Sequence, residues 1–252
     1  MIAIAAAFGI AAVTTPAGVS GAVLLPPFQA SVLDMQLMAI APTNLVYNII
    51  ATPGALYRYW RQRQTGGQLT GLLVAGTVPG VVAGCVIRAV LLPGMAVFDF
   101  IVAGVLVPLG AWLALVPAPE PGARRSRLPR AALVVIAAAV GCVGGIYGVG
   151  GGAILAPILI GSGRSPSVVA PAALAATFVT SAAGVISFTI LAAQTGGAAP
   201  DWPTGIALGL GGLAGGYTGA RIQSRLPDAV IRRLVGVLAV TVGGIFLWLG
   251  LS

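Results

Sequence analysis

Charge in this chain gathers at short breaks and at the ends of the segments they bound, and these segments run apolar for about 20 residues or more, the length that crosses a bilayer as a helix. The apolar stretches fall at about residues 2–33, 35–57, 69–91, 95–117, 131–162, 166–193, 203–221 and 230–251. Only 7% of the 252 residues are charged, against roughly 25% in an ordinary soluble domain. With 58% of residues hydrophobic, no soluble fold hides the apolar surface, so the bilayer is the solvent. The expected fold is an all-α polytopic membrane protein, with membrane lipid as its surroundings.

A net charge of +8 suggests nucleic acid when it gathers on one amphipathic face. Here all thirteen basic residues are arginines at segment ends, which reads as a topology signal, and no nucleic-acid partner is expected. Histidine is absent, and Cys85 and Cys142 each lie inside an apolar stretch without metal-ligand spacing. Neither a metal nor a cofactor is expected. The run MIAIAAAFGIAAV carries no basic residue ahead of it, so it reads as part of the mature membrane domain rather than a secretory signal.

The longest polar break, PAPEPGARRSRLP at 117–129, divides the chain into a first membrane repeat at 1–117, a linker at 118–130 and a second repeat at 131–252. Gly21 and Pro26 in GAVLLP recur as Gly152 and Pro157 in GAILAP. In the same order Gln64-Thr65-Gly66-Gly67 recurs as Gln194-Thr195-Gly196-Gly197, Thr70-Gly71 as Thr204-Gly205, Gly80 and Gly84 as Gly215 and Gly219, and Leu92-Pro93 as Leu226-Pro227. An internal duplication is the usual plan of secondary transporters.

The first and fifth stretches are longer than one crossing and are interrupted by glycine and proline, in TTPAGVSGAVLLPP at 14–27 and GGIYGVGGGAILAP at 144–157. Each is either one continuous helix or a pair of half-helices that enters the membrane and returns on the same side. Single crossings throughout would divide the arginines seven to six, which is no bias. Re-entrant first and fifth stretches leave three crossings per half with the second half inverted, and place every arginine except Arg88 on one side. The positive-inside rule favours that twelve-to-one division. The expectation is therefore inverted repeats, each a broken first segment plus three transmembrane helices, with termini outside and the linker in the cytoplasm.

The densest motif is Gly148-Val149-Gly150-Gly151-Gly152 followed by Pro157, with a weaker copy in Ala17-Gly18-Val19-Ser20-Gly21 followed by Pro26. Glycines let the backbone approach a ligand, and a half-helix start pointing to the midplane offers partial positive charge to an anion without a buried arginine. The plainer reading, close helix packing, also stands, and it is the ordinary one for the GxxxG spacing of Gly80/Gly84 and Gly215/Gly219. On these two motifs and the duplication, the chain resembles the TauE/SafE sulfite-exporter family, also called toluene-sulfonate uptake permeases, over essentially its whole length. The resemblance implies a multi-pass protein of the bacterial inner membrane that moves sulfite, organosulfonates or related sulfur-containing anions. The first copy departs from the pattern at Ala17, Val19, Ser20 and Ala22.

Candidate substrate-binding residues are Gly18, Ser20 and Gly21 of the first motif, and Tyr147, Gly148, Gly150, Gly151 and Gly152 of the second. To these are added Thr43, Asn44 and Asn48 near the start of the second stretch, and Thr177 and Ser181 of the sixth, with Thr180 beside them. Asn44 and Asn48 share a helical face, as do Thr177 and Ser181, and such groups hydrogen-bond either a sulfonate oxygen or a neighbouring helix. Asp99 is the one acid inside a stretch and the coupling candidate, with Arg88 as an alternative ion-pair partner. Tyr57, Tyr59 and Trp60 beside Arg58 and Arg61 read as an interfacial anchor.

The reading is a secondary transporter of a small anion by alternating access, with a homodimer as the oligomer considered. The alternatives are an anion channel, a carrier of an unrelated small organic anion, or a membrane subunit that only holds partners. An intramembrane serine protease fits Gly18-Val19-Ser20-Gly21 superficially, but the chain has neither histidine nor lysine to serve as base. The glycine run lacks the strand and the following acid of a dinucleotide fingerprint.

Overall fold

The computed structural model describes residues 1–63, 67–90, 96–115, 128–197 and 199–251. These form ten α-helices: α1 (Ile2–Thr14), α2 (Leu25–Ser31), α3 (Leu37–Arg61), α4 (Gly67–Val90), α5 (Ala96–Leu115), α6 (Arg130–Tyr147), α7 (Gly152–Gly161), α8 (Pro166–Thr195), α9 (Trp202–Gln223) and α10 (Asp228–Leu251). Single 3-10 turns at Thr15–Ala17 and Gly21–Val23 join α1 to α2. Among the described residues four helical spans are long and apolar enough to cross a membrane: Gly67–Ala89, Arg130–Tyr147, Pro166–Thr195 and Asp228–Trp248. The greater part of the linker, including Glu120 and Arg124, lies outside the described residues, as do the Gln64-Thr65-Gly66 and Leu92-Pro93 echoes.

The first and fifth apolar stretches are each broken, and the breaks have the same chemistry. Gly18 and Gly148 stand at left-handed φ of 73° and 70°, where a residue with a Cβ is strained. In each case the next amide reaches back five residues, Val19 N–H to Thr14 O and Val149 N–H to Gly144 O, both at 3.2 Å. Both breaks press on the opposite half of the chain. A Cβ on Gly18 would stand 2.7 Å from Ala170 Cα in α8, and one on Gly148 would run into the backbone of Ala41 in α3.

Helix direction follows from which residues meet. Gly211, Gly215 and Gly219 of α9 face Ile4, Phe8 and Ala12 of α1, while Gly205, Gly209 and Gly212 face Val46, Ile50 and Ala51 of α3. Helices α1, α3 and α9 therefore run parallel, and the chain must turn back between α1 and α3, which α2 does. In a second group, again drawn from both halves, Gly76, Gly80 and Gly84 of α4 face Val134, Ala138 and Cys142 of α6. Val81 of α4 meets Gly184 of α8, and Cys85 clusters with Phe188, so α4, α6 and α8 also advance together and α7 is the return.

Two helix pairs run the other way. Leu45 of α3 meets Gly184 of α8, and farther along α3 Ala55 and Tyr59 cluster with Leu174 and Ala170. Likewise Val107, Gly110 and Ala114 of α5 meet Gly243, Val240 and Gly236 of α10. The long glycine-lined contacts are the GxxxG packing expected for Gly80/Gly84 and Gly215/Gly219, which lets backbones touch where lipid supplies no hydrophobic drive.

Tyr57 and Trp60 are exposed, as an interfacial anchor requires, but Tyr59 is not part of it. Its ring is buried against α8 and its hydroxyl donates to Thr15 O at 3.3 Å, so it pins α3 to the first break. Gln29 of α2 is fully buried, and neither side-chain amide atom is hydrogen-bonded to a described residue. Gln29→Leu, close in volume, is expected to raise the melting temperature of purified protein, because about 1–3 kcal/mol of uncompensated desolvation disappears. An unchanged or lower melting temperature would show that the amide has a partner in the folded protein.

Candidate functional site

Residues distant in sequence converge on the second break. Gly150 takes φ of 67°, and a Cβ built on it would stand 2.7 Å from Thr177 Cγ2, 3.3 Å from Ser181 Oγ and 3.4 Å from Asn48 Nδ2. Asn48 lies near the middle of the 25-residue α3, and Ser181 near the middle of the 30-residue α8. Their antiparallel crossing thus sets both polar groups at mid-helix depth beside the broken backbone.

Hydrogen bonding divides these groups into holders and free donors. Gly152 N–H donates to Thr177 Oγ1 at 3.1 Å, tying the start of α7 to α8. In the first half Ser20 Oγ accepts from Ala22 N–H at 3.3 Å and donates to Asn48 Oδ1, while Asn44 Nδ2 donates to Ala22 O at 3.1 Å. With its oxygen engaged by Ser20, Asn48 turns its Nδ2 away, and among the described residues that nitrogen has no partner; nor has Ser181 Oγ. Asn48 and Ser181 are both fully buried. Leaving a buried polar group unpaired costs about 1–3 kcal/mol, so two on one point mark a place that is completed by something else.

The site residues carry no formal charge, so attraction for an anion must come from amide and hydroxyl dipoles and from the N-terminal end of α7. A cavity with room for about one water molecule (≈ 10 Å³) lies beside the first break, between Thr15, Ser20, Gly21, Tyr47, Thr52 and Leu174. The unpaired hydroxyl of Tyr47 lies against Gly21 at its wall.

Most of the candidates read from the sequence meet here: Ser20, Asn44 and Asn48 around the first break, and Gly150, Gly151, Gly152, Thr177 and Ser181 around the second. Gly18 and Gly148 serve the breaks themselves by conformation and close contact. Thr43 is elsewhere, its hydroxyl accepting from Asp201 N–H at 2.9 Å ahead of α9. The Thr180 hydroxyl is turned back on its own helix, onto Ala176 O at 2.7 Å. The Tyr147 ring packs edge-on against Phe246 of α10 at 4.7 Å. Asp99 falls in α5, but its side chain lies outside the described residues.

Two side chains at the site were not among the candidates. Thr77 of α4 is fully buried, and a Cβ on Gly151 would stand 2.7 Å from its Cγ2. The signal was there, a lone hydroxyl in the middle of an apolar stretch. Tyr47 had the weaker signal of preceding Asn48 by one residue, and only the packing of α9 against α3 turns it to the cavity wall.

No curated protein and no solved structure matches this sequence. The family model for the sulfite exporter TauE/SafE matches residues 3–246, nearly the whole chain and both breaks within it. With its apolar spanning helices and that match, the chain belongs to the sulfite exporter TauE/SafE family of membrane transporters.

Proposed function

We propose that this protein is a secondary transporter that carries a small sulfur-containing oxyanion through the bacterial inner membrane by alternating access around the Gly150 break. The observation that carries the reading is the pair of unpaired, fully buried donors, Asn48 Nδ2 and Ser181 Oγ, aimed at one point beside a helix start. A sulfite or sulfonate group offers several acceptor oxygens and satisfies both donors at once. Neutral donors suit transport, because a buried arginine would hold the anion too tightly to release it.

The moving parts are two halves in inverted orientation. Helices α3 and α8 occupy corresponding places in the two repeats, as do α5 and α10, and each pair is antiparallel. Parallel repeats would make such partners run the same way, whereas an axis in the membrane plane reverses them. On this reading all arginines but Arg88 belong to one face, and the positive-inside rule makes that face, with the linker 118–130, cytoplasmic. Rocking one half against the other around the crossing of Asn48 and Ser181 opens the site alternately to each side.

Thermal melts of the purified chain with sulfite, sulfate, thiosulfate, and alkyl and aryl sulfonates, against chloride at equal ionic strength, test the site. A ligand at about a hundred times its dissociation constant stabilises the folded state by about 2.7 kcal/mol. The double variant Asn48→Leu/Ser181→Ala is expected to fold and to lose that response. An undiminished response in the double variant would remove the anion from this site.

A further inference from the structure

A second place in the molecule lacks a partner, and it is charged. Arg232 lies about one turn inside α10 and is 6% exposed, yet among the described residues its buried Nε and Nη2 have no hydrogen-bond partner. These two nitrogens form one edge of the guanidinium, the fork that grips two oxygens of a phosphate, sulfo or carboxylate group together. Trp112 of α5 fixes the plane of the fork, with Arg232 Cζ 4.8 Å from the ring centroid.

The natural counter-ion, Asp228, precedes Arg232 by four residues on the same helix. Its carboxylate is directed elsewhere, accepting from Ser165 Oγ at 3.2 Å in the loop between α7 and α8. That hydrogen bond brings to the start of α10 a loop carrying a second arginine, Arg164, whose Nε is buried with no hydrogen-bond partner among the described residues. Gly161, at the end of α7, packs against Leu109 and Trp112 and closes the neighbourhood. The Asp228 carboxylate is thus held by a serine, while the nearby arginine nitrogens find no acceptor among the described residues. A buried charge without a partner costs several kcal/mol, and an ionisable group in a spanning segment is a functional candidate by default.

We propose that Arg232, oriented by Trp112 and assisted by Arg164, is a second anion site, built to hold a tetrahedral oxyanion where α5, α10 and the α7–α8 loop meet. It shares no residue with the Gly150 site. The oxyanion is either the phosphate of an anionic lipid seated at the membrane edge, with partly exposed Trp112 beside its chains, or a free sulfo or phosphate ion at the mouth of the transport route.

The test uses the full-length chain in detergent, carrying Asn48→Leu/Ser181→Ala so that the site at Gly150 is silent. Melting is followed against sulfite and phosphate at ionic strength matched with chloride, and separately against phosphatidylglycerol in place of phosphatidylcholine in mixed micelles. At least one arm is expected to raise the melting temperature. In that arm Arg232→Lys, which keeps the charge but loses the fork, should raise the half-saturating concentration about tenfold or more. A response to phosphatidylglycerol alone assigns a lipid phosphate; a response to the free ions assigns a soluble oxyanion. Absence of both responses, or an Arg232→Lys variant that responds like its parent, overturns the proposal. Native mass spectrometry of the chain with Arg232 intact, asking whether phosphatidylglycerol or phosphate stays bound, gives a reading even if the Arg232 variant fails to fold. Because Asn48 and Ser181 are already replaced, failure here leaves the Gly150 reading untouched.

Discussion

Gly150→Val is expected to lower anion flux in proteoliposomes by at least about a hundredfold while the protein still inserts and folds. The backbone there has φ of 67°, a conformation in which a β-branched residue is a steric outlier costing about 1–2 kcal/mol. The larger effect is occlusion. The new Cβ would stand 2.7 Å from Thr177 Cγ2 and within 3.4 Å of Asn48 Nδ2, in the space where the anion must sit to reach both free donors. A hundredfold loss corresponds to about 2.7 kcal/mol of lost transition-state stabilisation, which the two displaced hydrogen bonds to a charged ligand supply at about 1.5–3 kcal/mol each. Gly150→Ala carries the same Cβ with less bulk and should fall between the wild type and Gly150→Val. Flux in Gly150→Val equal to wild type, measured with labelled sulfite or sulfonate, would return the glycine to a packing role.

The second large effect is expected from Asn48→Asp. Asn48 uses its oxygen to accept from Ser20 and presents its nitrogen to the site. Aspartate keeps the acceptor and the shape, so the hold on the first break survives, but the free donor becomes a negatively charged oxygen. Two like charges about 4 Å apart repel by about 4 kcal/mol at the effective dielectric of a partly screened site, which corresponds to a binding loss on the order of a thousandfold. Asn48→Leu removes the donor without adding charge and should lose about ten- to a hundredfold, in line with one charge-assisted hydrogen bond. The ordering is the diagnostic feature. If Asn48→Asp binds or transports the anion as well as Asn48→Leu does, the Asn48 side chain does not face the ligand.

Sequence alone determined the solvent, the helical class and the two broken stretches, because each rests on short-range physics. Apolar runs of bilayer length leave no other environment, and the glycines and prolines of 14–27 and 144–157 weaken a helix wherever they stand in space. The small-residue stripes at Gly80/Gly84 and Gly215/Gly219 were legible for the same reason, although the sequence did not say that α4 packs on α6 and α9 on α1. The tertiary structure decided which polar groups are free. Thr43, Thr180 and Ser181 are alike as residues in an apolar stretch. Only the antiparallel crossing of α3 and α8 leaves the Ser181 hydroxyl unpaired beside Gly150, while Thr43 receives Asp201 N–H and Thr180 turns back on Ala176. Tyr59 shows the same limit, since its neighbours in sequence mark an interface while the close approach of α8 buries it. Whether a hydroxyl has a partner is a property of three-dimensional neighbours, and no local pattern encodes it.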